Sequence, residues 1–314
     1  MMQVFHSIDE VPLSFGPAVA VIGNFDGVHL GHQELLASIQ AEAKQLKARS
    51  IAITFDPHPD HFLRPSEAPG LLTLIPERLR LLSLTGIDAV LVLPFGESLC
   101  NLSARDFVQN ILVERLGVVS VHEGANFRFG HRAEAGVAEL AEFGHTFRFQ
   151  VTVHPPVSVR GLQVSSSAIR AAVLQGDLRR VRHMLGRTFQ VCSTLATGRG
   201  IGTRLLVPTV NLATYAGLLP PFGVYVTHLS IGDRCFQAVT NLGNRPTFGQ
   251  PSFAIESHIL NFEPVEMTSE TSLRLEFLKF LRPEVQWPTV EALRAQIMKD
   301  VGRAKRFFRL VGPI

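Results

Sequence analysis

The sequence predicts an α/β fold followed by a small β-barrel. Up to about residue 185, buried apolar runs alternate with helical patterns through polar loops, the order of a parallel sheet with helices on both faces. Beyond Leu185-Gly186-Arg187 the rhythm changes to short β-rich segments separated by turns, which suits a barrel. At 314 residues the chain is also long for a single core. We read residues 1–185 as a Rossmann-like parallel-sheet domain and 186–314 as a barrel domain ending in a helix.

The elements follow in order. Ala18-Val19-Ala20-Val21-Ile22 is a buried strand that stops at Gly23. A polar loop leads to a helix with Leu35, Leu36, Ile39, Ala43 and Leu46 on one face. Ser50 to Phe55 is the second strand and runs into a proline-punctuated loop, Asp56-Pro57-His58-Pro59-Asp60-His61. A helix starts near Pro76, and Ala89 to Phe95 is the third strand. Ser103 caps a helix with Phe107, Val108, Ile111, Leu112 and Leu116 inward, and Val118 to His122 is the fourth strand. In the second half, strands are predicted over Gly223–Leu229, Cys235–Thr240, Phe253–Leu260 and Leu273–Leu281. Thr289 caps a final helix whose apolar stripe is Val290, Leu293, Ile297 and Val301.

Composition narrows the function. Hydrophobic residues make up 46% of the chain and charged residues 18%, with a formal net charge of +3. That weak basicity suits a small anionic substrate and not a dedicated nucleic-acid binder. Cys100, Cys192 and Cys235 form no disulfide or metal pattern, which predicts a reducing cytoplasm. The first residues, MMQVFHSIDE, do not read as a signal peptide, and no apolar run reaches membrane-spanning length.

The densest motif is Gly23-Asn24-Phe25-Asp26-Gly27-Val28-His29-Leu30-Gly31-His32, placed where a strand hands over to a helix. That junction is the usual ligand crevice of an open α/β sheet. A helix start attracts phosphate through its unpaired N–H groups. His29 and His32 can donate to phosphate oxygens there as charge moves to a leaving group. Gly31 lets a phosphate approach, and Gly27 permits the tight turn. Taken alone, the histidine pair also reads as a metal pair or as surface histidines. His58 and His61 carry no further ligands at metal spacing. In Gly124-Ala125-Asn126-Phe127-Arg128, Asn126 offers donor and acceptor and Arg128 suits phosphate, although an ordinary turn has the same composition. Ser165, Ser166 and Ser167 cap a helix or bind phosphate, with Arg170 in its first turn. In the barrel, Gly198, Gly200 and Gly202 make a backbone that can wrap a phosphate or form a hairpin turn. Thr209 and Asn211 offer oxygens to Mg²⁺, and Glu256, placed inward, could accept a hydroxyl proton.

The ten-residue motif resembles the signature of the bacterial bifunctional riboflavin kinase/FMN adenylyltransferases. The second half resembles their kinase module through Pro208-Thr209-Val210-Asn211, Gly223-Val224-Tyr225 and Gly243-Asn244-Arg245-Pro246-Thr247-Phe248. The resemblance covers nearly the whole chain. It implies that the barrel phosphorylates riboflavin to FMN with Glu256 as base and Mg²⁺ at Thr209 and Asn211. It implies that the sheet domain transfers AMP from ATP to FMN, giving FAD and pyrophosphate. His29, His32 and Arg170 would be catalytic, and Gly23, Asn24, Phe25, Asp26 and the serines would hold the nucleotide. Asp56 and His58 match a family string more loosely. The partners implied are ATP, riboflavin and FMN, with no nucleic acid or membrane and the oligomeric state open. The chain departs from the family at Leu206-Val207 and at Met267-Thr268-Ser269-Glu270. Those departures keep two alternatives open: a flavin-binding regulator, and a single-activity nucleotidylyltransferase with a degenerate barrel.

Overall fold

The first part of the chain builds a six-stranded parallel sheet from β1 (Gln3–Phe5), β2 (Ala18–Ile22), β3 (Arg49–Asp56), β4 (Ala89–Pro94), β5 (Val118–Gly124) and β6 (Gln150–His154), ordered β1-β4-β3-β2-β5-β6 in this computed structural model. The structure describes residues 1–196, 209–247, 250–265, 267–268 and 270–312, without the side chains of 244–247 and 250–253. Alternation along each strand feeds two cores. Ala18, Ala20 and Ile22 face one side with Ile51, Ile53, Leu91 and Leu93. Val19 and Val21 face the other with Ala52, Val90 and Val92. Helix α1 (Leu30–Leu46) and α2 (Ile75–Ser83) cover the second face through Leu36, Ile39, Leu81 and Leu82. The first face is covered by α3 (Val137–Phe147) and by Phe107–Arg115, which winds as a π-helix. Leu46, expected on the apolar face of α1, is 50% exposed because the helix ends there, at a left-handed Lys47.

The strand order locates the crevice. From β2 the chain steps through β3 and β4 to one side, whereas β5 and β6 lie on the other. The reversal falls between β2 and β5, so the loops after Ile22 and Gly124 diverge at a topological switch point.

The chain divides into two compact units, Met1–Ser166 and Ser167–Ile314. This is earlier than the boundary read at 185/186. The reason is local: α4 (Ser166–Leu174) is followed by α5 (Leu178–Leu185), which buries Leu178, Val181, Met184 and Leu185 and packs on strands of the second unit. Those strands are β7 (Phe189–Ser193), β8 (Thr209–Leu212), β9 (Gly223–Ile231), β10 (Arg234–Thr247), β11 (Gln250–Ile259) and β12 (Leu273–Pro283). They form one antiparallel sheet ordered β7-β12-β9-β10-β11-β8. The sheet curls into a barrel: Leu195, just beyond β7, bridges Leu212 of β8, and Ala213 N–H donates to Thr194 O at 2.8 Å. Inside lies a buried hydroxyl chain, Thr227 to Thr240 at 2.7 Å and Thr240 to Ser257 at 2.8 Å. Helix α6 (Val290–Val311), capped by Thr289, packs outside on Val224, Val226 and Val239 through Ala304 and Phe308.

The stripe expected to bury α6 needs correction. Val290 is 75% exposed, Leu293 41% and Ile297 40%. The positions buried along α6 are Asp300, Ala304 and Phe308. Asp300 is accommodated there by Arg282, whose Nε and Nη2 both reach Oδ2 at 2.9 Å, and by Gln296 on Oδ1 at 2.9 Å.

Candidate active sites

The first site is assembled by the loop between β2 and α1. Phe25, Gly27 and Val28 all have positive φ, yet Phe25 and Val28 are each 1% exposed. Burial of the two apolar side chains holds a backbone that non-glycine residues otherwise avoid. Asp26 anchors the loop from within. Its fully buried carboxylate accepts from Leu72 N–H at 3.0 Å, Thr73 N–H at 2.9 Å and Thr73 Oγ1 at 3.2 Å. Thr73 Oγ1 in turn accepts from Gly27 N–H at 2.9 Å. The Asp26 side chain is thus a brace for the loop, and its main-chain carbonyl accepts from Ser166 Oγ at 2.8 Å.

The loop delivers His29 as the N-cap of α1, with Nδ1 accepting from His32 N–H at 3.3 Å. In a neutral ring that bond places the proton on Nε2, so His29 presents an N–H donor. The His32 ring stacks on it, centroids 3.6 Å apart at 15°, and Phe25 meets His32 edge-on at 5.1 Å. A Cβ at Gly31 would come within 3.3 Å of the His29 ring, so any larger residue there would press on that ring.

A cavity of about 590 Å³ opens over this junction. Gly23, Asn24, Phe25, His29, Gly31 and His32 line it, together with Asn126, Arg128, Ser165 and Ser166. Three separate segments predicted from sequence therefore meet at one crevice. Arg128 is held by its own hairpin, Nε and Nη2 donating to Ala133 O at 3.1 and 2.7 Å. Ser167 and Arg170 lie on α4 and belong to the second unit. His58 is buried and bonds the Asn24 amide through Nε2 at 3.0 Å, while His61 meets Pro69 O at 2.9 Å. Among the described residues no cluster of His, Cys, Asp or Glu could hold a metal ion.

Sequence reasoning missed Glu34, Glu123 and His154 on the cavity wall. Glu123 is a fully buried carboxyl whose Oε1 accepts from Ile22 N–H at 2.6 Å. Burial raises it well above the usual carboxylate range, against the lowering effect of the Ile22 and Gly124 amides. Two ionisable residues, His122 and Glu123, closing a strand rich in valine were the available signal.

The second site lies between the outer barrel wall and α6. On β11, Ile255 and Ser257 are buried, so Glu256 and His258 turn to the opposite face. Glu256 reads from sequence either as a surface carboxylate or as an inward base; strand alternation puts it on the outer face, where it lines a second cavity of about 590 Å³. Register places Asn211 on one side of it and Asn241 on the other, and Thr209 opposite His258. Thr209, Asn241 and His258 share the cavity wall with Trp287, Val290, Leu293 and Ile297. The exposed stripe of α6 is therefore the apolar wall of this cavity. Burial, and then Lys305, lowers the His258 ring below the usual imidazole range. Gly198, Gly200, Gly202, Leu206 and Val207 lie outside the described residues.

A histidine pair at a helix start over the switch point of a parallel sheet, joined to a barrel with a carboxylate-bearing cavity, defines a two-module nucleotide-dependent transferase. Residues 13–168 match the model of the FAD synthetase family, and residues 185–308 match that of riboflavin kinase. A bifunctional riboflavin kinase/FMN adenylyltransferase of Pseudomonas fluorescens is 33% identical over 305 residues, covering 97% of each chain. Its namesake from Escherichia coli K12 is 30% identical over 314 residues, covering 100% of this chain and 99% of that one. The chain belongs to this family of bifunctional riboflavin kinase/FMN adenylyltransferases. A crystal structure described as a macrolide-efflux protein from Streptococcus pneumoniae shares the fold, with a TM-score of 0.84 at 23% identity and coverage of 97% and 98%. No helix among the described residues is long and apolar enough to cross a membrane.

Proposed function

We propose that each cavity carries one of the family's two reactions. The α6 cavity phosphorylates riboflavin, and the β2–α1 cavity joins AMP to the resulting FMN. The observation that supports this division is the wall of the second cavity. It sets a carboxylate, Glu256, beside Trp287, Leu293 and Ile297, which suits a substrate with a flat apolar ring and a terminal hydroxyl.

In the kinase step Glu256 takes the proton of riboflavin's terminal hydroxyl as its oxygen bonds the γ-phosphorus of ATP. The bond from that phosphorus to the β-bridging oxygen breaks, and ADP leaves. Thr209 and Asn211 offer neutral oxygens that fit a hard cation carried on the nucleotide phosphates. Magnesium there supplies charge neutralisation when bound. In the second step a phosphate oxygen of FMN attacks the α-phosphorus of another ATP, and pyrophosphate departs. His29, through its Nε2–H, and His32 stabilise the charge that grows on the phosphates, aided by the helix start. FMN's phosphate is already anionic, so no base is needed. Ser165, Ser166 and Arg128 hold the polyphosphate. We place both reactions in the cytoplasm, where Cys100, Cys192 and Cys235 stay reduced.

The test is to supply the pure protein with riboflavin, ATP and Mg²⁺ and follow FMN and FAD. FMN followed by FAD supports both assignments. Flavin binding without turnover would favour a regulator, and FAD made only from supplied FMN would favour a degenerate barrel.

A further inference from the structure

Behind the cavity of the first unit, β5 and β6 place two histidines side by side. His122 is buried, and His154 ends β6 on the cavity wall. Their rings stack with centroids 5.1 Å apart, and His122 Nδ1 lies 2.9 Å from His154 Nε2. His122 Nε2 bonds the Glu42 carboxylate of α1. The direction of this chain follows from its end. An ionised carboxylate only accepts, so His122 donates through Nε2, and Nδ1 of the neutral ring accepts. His154 then donates through Nε2, which leaves Nδ1 as a lone pair. The described protein groups bond this ring only through Nε2. Burial lowers His154 below the usual imidazole range, so its neutral ring is favoured, and the tautomer of that ring is the one that a neutral His122 dictates.

We propose that His154 is a substrate-recognition residue, accepting a hydrogen bond at Nδ1 from an amino or imide N–H of a bound substrate, with His122 and Glu42 as the positioning residues that hold this tautomer. A lone pair repels phosphate oxygens, so His154 serves the base end of a ligand, whereas His29 and His32 serve its phosphates. The two substrates bring two such donors: the 6-amino group of adenine and the imide N–H of the flavin. The proposal rests on AMP transfer taking place in this cavity.

Nitrogen-15 NMR of histidine-labelled protein reads the tautomer directly; His154 should carry its proton on Nε2. His154→Phe keeps the stacked ring and removes the lone pair. It should raise KM for ATP or for FMN about tenfold, the scale of one lost hydrogen bond, with a smaller change in kcat. Inosine triphosphate lacks the amino donor and 3-methyl-FMN lacks the imide donor. The wild type should discriminate against one of them, identifying the donor, and His154→Phe should lose that discrimination. Glu42→Gln retains an accepting oxygen and should keep the wild-type KM, whereas Glu42→Leu should move towards His154→Phe. A thermal transition of the sheet domain like that of the wild type reports that these variants fold. A His154 protonated on Nδ1 overturns the proposal, as does a His154→Phe variant with both KM values and both analogue ratios unchanged. Absence of AMP transfer in the wild type would instead overturn the site reading. Equilibrium binding of ATP against inosine triphosphate, and of FMN against 3-methyl-FMN, then decides the His154 assignment alone.

Discussion

The two cavities have the same volume, about 590 Å³, and are built in opposite ways. The first grows from one contiguous string. Strand, loop, cap and helix follow one another from Ala18 to Leu46, and the stacked histidines are three residues apart. Its precision comes from inside the loop, where Asp26 is sealed by Leu72 and Thr73 and the His29 cap selects the ring tautomer. The second cavity has no contiguous signature. Register brings Thr209, Asn241 and Glu256 together from β8, β10 and β11, and a helix from the end of the chain supplies the apolar wall. Phosphate chemistry can be built on a helix terminus, but a planar apolar substrate needs a surface, and only distant elements packed together provide one.

This contrast is most sharply broken through its catalytic groups. Glu256→Gln preserves shape and removes the base. FMN formation should fall roughly 10²–10⁴-fold, while FAD synthesis from supplied FMN continues. Loss of both activities in a folded variant would mean that the cavities do not work separately. His29→Ala is the reciprocal change. It removes a transition-state donor and the cap of α1, and should lower FAD synthesis by about 10²–10³-fold with riboflavin phosphorylation intact. Near wild-type FAD synthesis would take His29 out of the mechanism.

A smaller effect tests the apolar wall. Leu293→Ser with Ile297→Ser removes two side chains that are about 40% exposed and therefore contribute little to the core of the barrel unit. The double variant should keep its thermal midpoint within a few degrees and raise KM for riboflavin about tenfold, given roughly 25 cal/mol for each Å² of apolar surface that the substrate no longer covers. A large drop in midpoint with unchanged KM would return the stripe to the core.

What could be read from the sequence follows the same division. Every strand of the first sheet that is a long apolar run was legible, from Ala18–Ile22 to Val118–Gly124, because parallel strands are buried on both faces. The edge strands Gln3–Phe5 and Gln150–His154 were not, being short or polar and defined by pairing alone. The stripe of α6 was legible as apolar, but periodicity does not distinguish a face that meets a core from one that meets a cavity. Its buried face also carries Asp300, paired with Arg282, a residue that hydropathy places outside. Glu123, His122 and His154 were invisible as a group. His122 and Glu123 are adjacent on β5, but only the pairing of β5 with β6 sets His122 beside His154, and only its pairing with β2 sets Glu123 beside Ile22.

The mildest prediction concerns Glu123, which ties the two cavity loops through Ile22 N–H. Burial raises its carboxyl well above the ordinary range, so folding takes up a proton that the unfolded chain releases. Below the unfolded value, about 4.3, both states hold the proton and the contribution to stability is fully present. As pH rises from there towards the folded value the unfolded state binds fewer protons, and stability falls, by at most about 1.4 kcal/mol per pH unit for one proton. Glu123→Gln keeps an accepting oxygen for Ile22 N–H and cannot ionise. The variant should therefore match the wild type near pH 4 and gain on it steadily as pH rises towards 8, measured as the difference in thermal midpoint of the transition that disrupts the sheet domain. The barrel has no fully buried glutamate among its described residues, so its own transition should show no such divergence. A midpoint difference that stays constant across this range would mean that Glu123 folds ionised, held so by the amides of Ile22 and Gly124 despite its burial.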